Sequence, residues 1–502
     1  MIERNLPALI PLLFLASALI VPLIGLWKRN AVFAVTLFSF LIVFALSAYG
    51  FVFVLENGTV RYFFGGWPPP FGIEYYYDSL AAFVSLVINV VALIVIIHSG
   101  KMVNAETEFK KIPFYSIVAL LLCGLNGIVL TGDLFNLYVF IEISSLAGYA
   151  LIAIGEKKAP FAAFRYLIIG TIGASFYLLG IGYLYVMSGT LNMMDMAAML
   201  PGINENPAII IALTLMVSGI GIKTAIFPMH GWLPDSYTYA PSASSALIAP
   251  IGTKVGAYIL IRLLFFIFGV EYFSINLPIA DILAFLSAGG IIFGSVMAMA
   301  QNELKRMLAY SSIAQIGYIG LGIGMANPLG FAGALLHLLN HAFMKACLFL
   351  VAGNLRYKLG HSDISKFDDT YRVRFPWTMA SFTIAALSMI GLPPMAGFFS
   401  KWYLVLATID NQSWLFLGVI LLSSLLNAVY FFRVLEKVYL KSPSAVLASE
   451  DSSAVTSNPS VKNEEPSFSL VMPVIVLAAG LIILGLLNAF IVDIIMKMYP
   501  GG

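Results

Sequence analysis

The sequence predicts an all-α integral membrane protein of about fourteen transmembrane helices, at least two of them broken. Three observations lead there. Of 502 residues, 60% are hydrophobic and only 10% charged, with a mean hydropathy of +0.94; a water-soluble globule averages roughly 25% charged residues. Fourteen apolar stretches of the length that crosses a bilayer follow one another, and so little chain remains between them that no soluble catalytic domain fits. The third observation is the distribution of the 27 Lys and Arg residues. Nineteen fall in the loops after helices one, three, five, nine, eleven and thirteen, from Lys28 and Arg29 through Lys305 and Arg306 to Lys462. Only Arg4, Arg61 and Lys497 lie on the opposite side, and five more lie within spans. This is the positive-inside pattern, which places both termini outside the cytoplasm and supports an even helix count. The net charge of +2 gives no reason to expect nucleic acid as a partner.

In chain order, the first stretch, 7–27, lacks a basic start and a small-residue cleavage site, so it reads as a retained helix, not a signal peptide. Stretches at 31–54, 77–98 and 112–131 follow. The fifth, 134–154, has Asp133 at its outer start and Glu142 deep within it. After 161–187 comes 207–234, which contains "SGIGIKTAIFPMHGWLPD". Lys223 lies about sixteen residues into this span, roughly 24 Å at helical rise. Pro228 must interrupt the helix beyond it, and His230 caps or lines that break. The eighth stretch, 240–268, holds Lys254 near its middle and Arg262 in its outer half, in reach of the surface or of Glu271. Stretches 278–300 and 306–325 lead to 329–353, where "HLLNHAFMKACLF" sets His337, His341 and Lys345 at successive i, i+4 positions along one helix face. The twelfth, 376–406, carries "GLPPMAGFFSK", with Pro393 and Pro394 ahead of Lys401. Stretches 412–438 and 467–495 complete the series, separated by a Ser-, Pro- and acid-rich segment, 442–467, expected to be a disordered cytoplasmic linker. Cys123 and Cys347 are too far apart for a CxxC-type site and read as small core residues.

A charged side chain at the bilayer centre costs at least about 2.5–3.5 kcal/mol, so each basic residue within a span needs a reason. Arg262 can snorkel. Lys223, Lys254 and Lys401 lie too deep and are expected to face protein or internal water. A broken span frees backbone carbonyls, which a bilayer tolerates only where protein or water satisfies them. Discontinuous helices with a charge near mid-membrane mark ion sites in transporters. Glu142, the one carboxylate deep in a span, is either neutral or paired with one of these lysines, and the residues alone do not say which. Lysines outnumber it, so some must give up a proton during any cycle, and burial favours the neutral amine. His337 and His341 have metal-ligand spacing. The cation next along the same face and the absence of an acid favour a proton-transfer or water-organising ladder instead.

Four segments together resemble one family. "GIKTAIFPMHGWLPDSYTYAPSASSALIAPIGTKVGAYILIR", "NELKRMLAYSSIAQIGYIGLGIG", "HLLNHAFMKACLFLVAG" and "GLPPMAGFFSKWYL" look like the antiporter-like subunits shared by Mrp cation/proton antiporters, respiratory complex I and membrane-bound hydrogenases. The resemblance runs from about residue 76 to 440. It implies two inverted five-helix repeats, at 112–268 (helices four to eight) and 278–438 (helices nine to thirteen), after an N-terminal unit at 1–111. By residue, it implies that Glu142 pairs with Lys223, that Lys254, His337 and His341 continue a proton-transfer line, and that Lys401 is its far titratable site. His230, Lys345 and Asp133 are accessory candidates. Some complex I relatives carry glutamate at the last position, so Lys401 leans toward the D-type Mrp subunit, as does a chain ending at Gly502 without a lateral helix.

The implied function is proton translocation within a multisubunit complex in a prokaryotic cytoplasmic membrane. It would be coupled to Na⁺/H⁺ antiport or to a redox partner such as a membrane-bound hydrogenase or complex I relative. Like charges about 7 Å apart repel by roughly 2.4 kcal/mol at an effective dielectric of about 20, enough to switch a neighbour's proton affinity. The expected partners are other membrane subunits, protons, Na⁺ and the lipid bilayer. The chain shows no flavin, iron–sulfur or nickel ligand pattern, so no cofactor is expected in it, and membership of an oxidoreductase would rest on its partners. A single-polypeptide secondary transporter and a non-conducting scaffold subunit are the competing readings.

Overall fold

The computed structural model describes residues 2–440 and 463–500; most of the expected linker at 442–467 lies outside the described residues. The chain opens with helices α1 (Ile2–Trp27) and α2 (Ala31–Asn57), then a hairpin of β1 (Val60–Phe63) and β2 (Glu74–Tyr77). Next come α3 (Ser79–Glu106), α4 (Lys111–Leu130), α5 (Leu134–Ala153), α6 (Ala159–Ser188), the short α7 (Met193–Met199), α8 (Pro207–Thr224), α9 (Leu233–Tyr239) and α10 (Ser242–Ile261). The second half holds α11 (Ile279–Met299), α12 (Leu304–Gly324), α13 (Pro328–Leu359), the one-turn α14 (Thr370–Arg374), α15 (Pro376–Ile390), α16 (Ala396–Asp410), α17 (Trp414–Tyr439), α18 (Phe468–Leu486) and α19 (Asn488–Met496). Side-chain caps start many of these helices: Asp78, Asp133, Asn206, Glu303 and Asn327 each accept a hydrogen bond from a first-turn backbone N–H.

Among the described residues, thirteen continuous helices are long and apolar enough to cross a membrane, and the remaining apolar run is divided into α15 and α16. α10, α12 and α13 are buried along nearly their whole length, whereas α2 and α17 bury only about a third of theirs. This explains why α12 tolerates Ser311, Ser312 and Gln315: it faces protein, not lipid.

Both expected breaks are present. α8 ends at Thr224, and Ala225 follows with φ +62°, a left-handed conformation that a residue with a Cβ adopts only under strain. Residues 225–232 are irregular before α9 begins. The helix therefore stops four residues before Pro228, earlier than the proline alone requires. In the second break α15 ends at Ile390, Gly391 follows at φ +92°, where a left-handed turn costs least, and Pro393–Pro394 carries the chain into α16.

Four features depart from the sequence expectation. The hairpin lies where the sequence suggests only a loop; its runs "VRYF" and "EYYY" are aromatic and β-branched, as strands prefer. The eighth span changes from α to π geometry at Arg262. The last span is divided at Leu487. The end of the presumed linker is docked, with Glu464 bonded to Arg374 at 2.8 Å and Glu465 capping the first turn of α15 through the N–H groups of Trp377 and Thr378.

α6 and α8 touch backbone to backbone. A Cβ added at Gly173 would lie 2.9 Å from the carbonyl oxygen of Gly219. Close glycine approaches of this kind hold membrane helices together by packing alone. Gly173→Leu is therefore expected to push α6 off α8 and cost about 1–3 kcal/mol, read as a lowered melting temperature of the detergent-solubilised complex. An unchanged melting temperature would show that this contact carries no stability.

Candidate functional site

α5 and α8 present the first pair. Lys223, at the last turn of α8, donates to Ser145 Oγ at 2.6 Å and to the Tyr149 hydroxyl at 3.3 Å, both on α5. Its Nζ lies 3.9 Å from Glu142 Oε1, a loose ion pair, and that oxygen has no hydrogen-bond partner among the described residues. Glu142 is 27% exposed, so it is less deeply placed than its sequence position suggests, whereas Lys223 is buried. A cavity of about 50 Å³, lined by Lys223, Ser145, Tyr166, Gly252 and Gly256, separates this pair from α10. Such a volume holds about three or four waters. Both glycines belong to α10, and a Cβ added at Gly256 would lie 2.5 Å from Thr224 Oγ1, so that glycine lets α10 approach the end of α8.

Lys254 sits about one turn along α10 from Pro250, fully enclosed, with Nζ donating to Ala249 O at 2.7 Å and Thr253 Oγ1 at 3.4 Å. α10 packs against α13, the helix that carries His337, His341 and Lys345. Lys345, also fully buried, donates to Leu308 O at 2.7 Å and to Ser311 Oγ on α12. His341 is buried with no hydrogen-bond partner on either ring nitrogen among the described residues, and its ring lies 5.8 Å from that of His337. Buried polar atoms ordinarily find a protein group or an ordered water, so His341 is a natural place for water or a moving proton.

His337 continues the line in both directions, with Nε2 2.9 Å from Gln315 Oε1 and Nδ1 2.8 Å from Ser400 Oγ. The next residue, Lys401, donates to Met389 O and Ile390 O, each at 3.0 Å, and to Ser424 Oγ at 3.3 Å, while its ammonium lies 5.0 Å from the centre of the Tyr318 ring. Met389 and Ile390 end α15, so the carbonyls freed by the break are the ones that hold the lysine. A broken helix beside a buried charge thus has a direct geometric meaning here. At Lys223 it does not: the carbonyl of Ile222 is taken by the Trp232 indole at 2.9 Å, and the lysine turns to α5 instead.

Other sequence candidates fall off this line. Asp133 caps α5, accepting from Asn136 N at 2.7 Å. His230 is half-buried in the α8–α9 break, stacked 5.4 Å from the Phe227 ring. Arg262 neither snorkels nor pairs with Glu271; it makes a bidentate ion pair with Asp78 at the start of α3, at 2.6 and 2.7 Å. A charge buried this fully needs a paired, hydrogen-bonded partner, and Asp78 supplies it. Lys305 and His98 are among the buried groups that the sequence does not single out. Lys305, counted with the loop charges, is fully buried at the first turn of α12 and donates to Ala240 O at 2.6 Å. His98 on α3 is buried against Asn354 at 2.8 Å. No local pattern marks Lys305, because what covers it comes from the distant α9–α10 turn. His98 does carry a signal, as a histidine within an apolar run.

Among the described residues, Lys223 alone of these lysines has a carboxylate in ion-pair range; Lys254, Lys345 and Lys401 rest on carbonyls and hydroxyls. Such acceptors stabilise an ammonium without neutralising it, which suits groups that change protonation in turn.

Residues 131–427 match the family described as the transmembrane part of NADH:quinone oxidoreductase and the Mrp antiporter. The chain is 46% identical over 494 residues to NADH-quinone oxidoreductase subunit N of Desulforudis audaxviator, covering 97% of each. It is 33% identical to the D-type subunit of the Na⁺/H⁺ antiporter of Alkalihalophilus pseudofirmus, covering 78% of each. Its fold is similar to a chain of the membrane-bound sulfane sulfur reductase, an archaeal respiratory membrane complex, with a TM-score of 0.88 and 28% identity over 98% of this chain and 97% of that one. A multi-pass membrane protein with this line of buried lysines and histidines, and with these relatives, belongs to the NADH:quinone oxidoreductase/Mrp antiporter family, as an antiporter-like membrane subunit.

Proposed function

We propose that this chain translocates protons within a multisubunit complex of a prokaryotic cytoplasmic membrane, its basic face toward the cytoplasm and both termini outside. The route runs through Glu142, Lys223, Lys254, His341 and His337 to Lys401, with Lys345 beside its centre. The observation that carries this reading is the loose Glu142–Lys223 pair at 3.9 Å. At that separation the carboxylate holds the lysine weakly enough to release it. A shift of Glu142 changes the charge on Lys223, which changes the cost of a proton on Lys254, and so along the line. The inverted repeats at 112–268 and 278–438 are part of the proposal, supported by the presence in each of a broken helix beside a buried lysine.

For the driving reaction, a redox partner is the first reading, supported by likeness along almost the whole chain to an oxidoreductase subunit and to a chain of a respiratory reductase. Redox centres would belong to partner subunits. Na⁺/H⁺ antiport is the second reading, supported by the relative from a Na⁺/H⁺ antiporter. Purifying the native complex in mild detergent and measuring its iron and its subunits separates them. Stoichiometric iron with hydrophilic, cluster-bearing partners is expected; no iron and only membrane subunits would overturn the redox reading in favour of antiport.

A further inference from the structure

Glu142, Ser145 and Tyr149 stand at i, i+3 and i+7 on α5, so one face of that helix presents a carboxylate and then two hydroxyls over about 10 Å. The Lys223 ammonium lies between them. It is 2.6 Å from Ser145 Oγ, 3.3 Å from the Tyr149 hydroxyl and 3.9 Å from Glu142 Oε1. Attraction between opposite charges alone would draw it on to the carboxylate. Glu142 Oε1 is open to receive it, since no described residue hydrogen-bonds that oxygen. The ammonium nevertheless rests at the hydroxyls.

Tyr149 supplies much of that hold. Its hydroxyl accepts from the ammonium, and the centre of its ring lies 5.8 Å from Nζ, within reach of a cation–π contact. The side chain has little freedom to follow the lysine. A Cβ added at Gly170 of α6 would overlap the Tyr149 hydroxyl and lie 3.4 Å from Nζ, so both rest against bare backbone. The ring stands edge-on to Tyr166, with centroids 4.6 Å apart, and Tyr166 lies flat on Trp232 at 3.7 Å. Trp232 donates its indole N–H at 2.9 Å to the carbonyl of Ile222, the residue before Lys223. The contacts form a closed circuit, from the backbone beside Lys223 through Trp232, Tyr166 and Tyr149 to the ammonium.

We propose that Ser145 and Tyr149 form a second seat for the Lys223 ammonium, in competition with Glu142, and that Tyr166 and Trp232 are positioning residues for that seat. The inference rests on the proton-translocating reading above and names what regulates its loose pair. The ammonium slides along α5 as a whole, and no covalent bond changes. In the hydroxyl seat it leaves the Glu142 carboxylate free to move; back at the carboxylate, the pair is closed. Because Trp232 belongs to the α8–α9 break, a movement of residues 225–232 shifts the seat and tilts the competition.

The test uses the native complex reconstituted in liposomes, with proton uptake followed by an internal pH dye. Tyr149→Phe keeps the ring and its stack but removes the hydroxyl. It is expected to lower uptake about tenfold, the scale of one hydrogen bond to a charged group, because the ammonium stays longer on Glu142. Uptake at the parent rate would overturn the proposal. Adding Glu142→Asp draws the carboxylate back by one methylene and weakens the closed pair, so the double variant should take up protons faster than Tyr149→Phe. A merely structural hydroxyl predicts two defects that add, and a double variant no faster than Tyr149→Phe would overturn the competition. Gly170→Ala reaches the seat from α6 with the tyrosine in place and should lower uptake to a similar degree; parent uptake by this variant would overturn the fixed seat. Lys223→Ala run in parallel separates the two levels. If it is inactive while Tyr149→Phe is fully active, the second seat alone fails; if both are fully active, proton translocation through Lys223 fails.

Discussion

Lys223→Ala is expected to abolish ion-coupled proton transfer, by at least about a hundredfold, while the complex still assembles. Lys223 is the one lysine of the line within ion-pair range of a carboxylate, so it is where displacement of Glu142 becomes a change of charge further in. Without it, Lys254 has no switchable neighbour on the α5–α8 side, and the polar line ends at the cavity of about 50 Å³. The fold should survive the change. The ammonium's two hydrogen-bond partners, Ser145 and Tyr149, line or adjoin that cavity, where water can replace the lost contacts. The measurement pairs proton uptake by reconstituted complex with its subunit composition on gel filtration. Full uptake by the variant would remove Lys223 from the mechanism, and a scaffold role for the chain would then stand.

Asp78→Ala is expected to cost more stability than either Lys223→Ala or Gly173→Leu. The carboxylate holds Arg262 through two hydrogen bonds, with the side chains only 13% and 7% exposed. Removing one member of a buried pair leaves the other charge without compensation and costs about 3–5 kcal/mol. Asp78 also caps α3 through Ala81 N at 2.9 Å, a contact worth about 1 kcal/mol. The variant complex should melt far below the parent or fail to accumulate. Replacing both charges, as Asp78→Leu with Arg262→Met, should restore most of the stability, because apolar side chains of similar volume often substitute for a buried pair without loss. A single variant that melts like the parent would mean that water reaches Arg262 and shares its charge.

Much of this architecture is legible in the chain because a bilayer leaves few solutions. The apolar stretches, the two breaks and the buried lysines all follow from the cost of exposing polar groups to lipid. That cost identifies which residues are buried but not what they face. Sequence proximity points Arg262 to Glu271, although its partner Asp78 lies across the bundle and 184 residues away. Lys305 reads as a loop residue because a helix end and a loop look alike in a window, and only the fold brings Ala240 to it. The hairpin is hidden for a related reason. Strand pairing joins Val60 to Tyr77 through a Gly- and Pro-rich connection that a search for long apolar runs passes over. The partner of Glu142 is ambiguous from the residues alone, and the family resemblance, not periodicity, points to the pair that the geometry contains.

Among the described residues, the four lysines of the line have one carboxylate in ion-pair range between them, and three of the four are held by neutral oxygens. Two ammonium groups about 10 Å apart repel by about 1.7 kcal/mol at an effective dielectric of about 20, so each proton taken up makes the next harder to hold. Under the proposed mechanism the interior would therefore behave as a small capacitor with a fixed number of places, in which filling one position empties another. Under the proposed proton translocation its capacity, and with it the number of charges moved per turnover, would be set by how many lysines lack a carboxylate. A stronger driving reaction would raise the rate of turnover but not that integer.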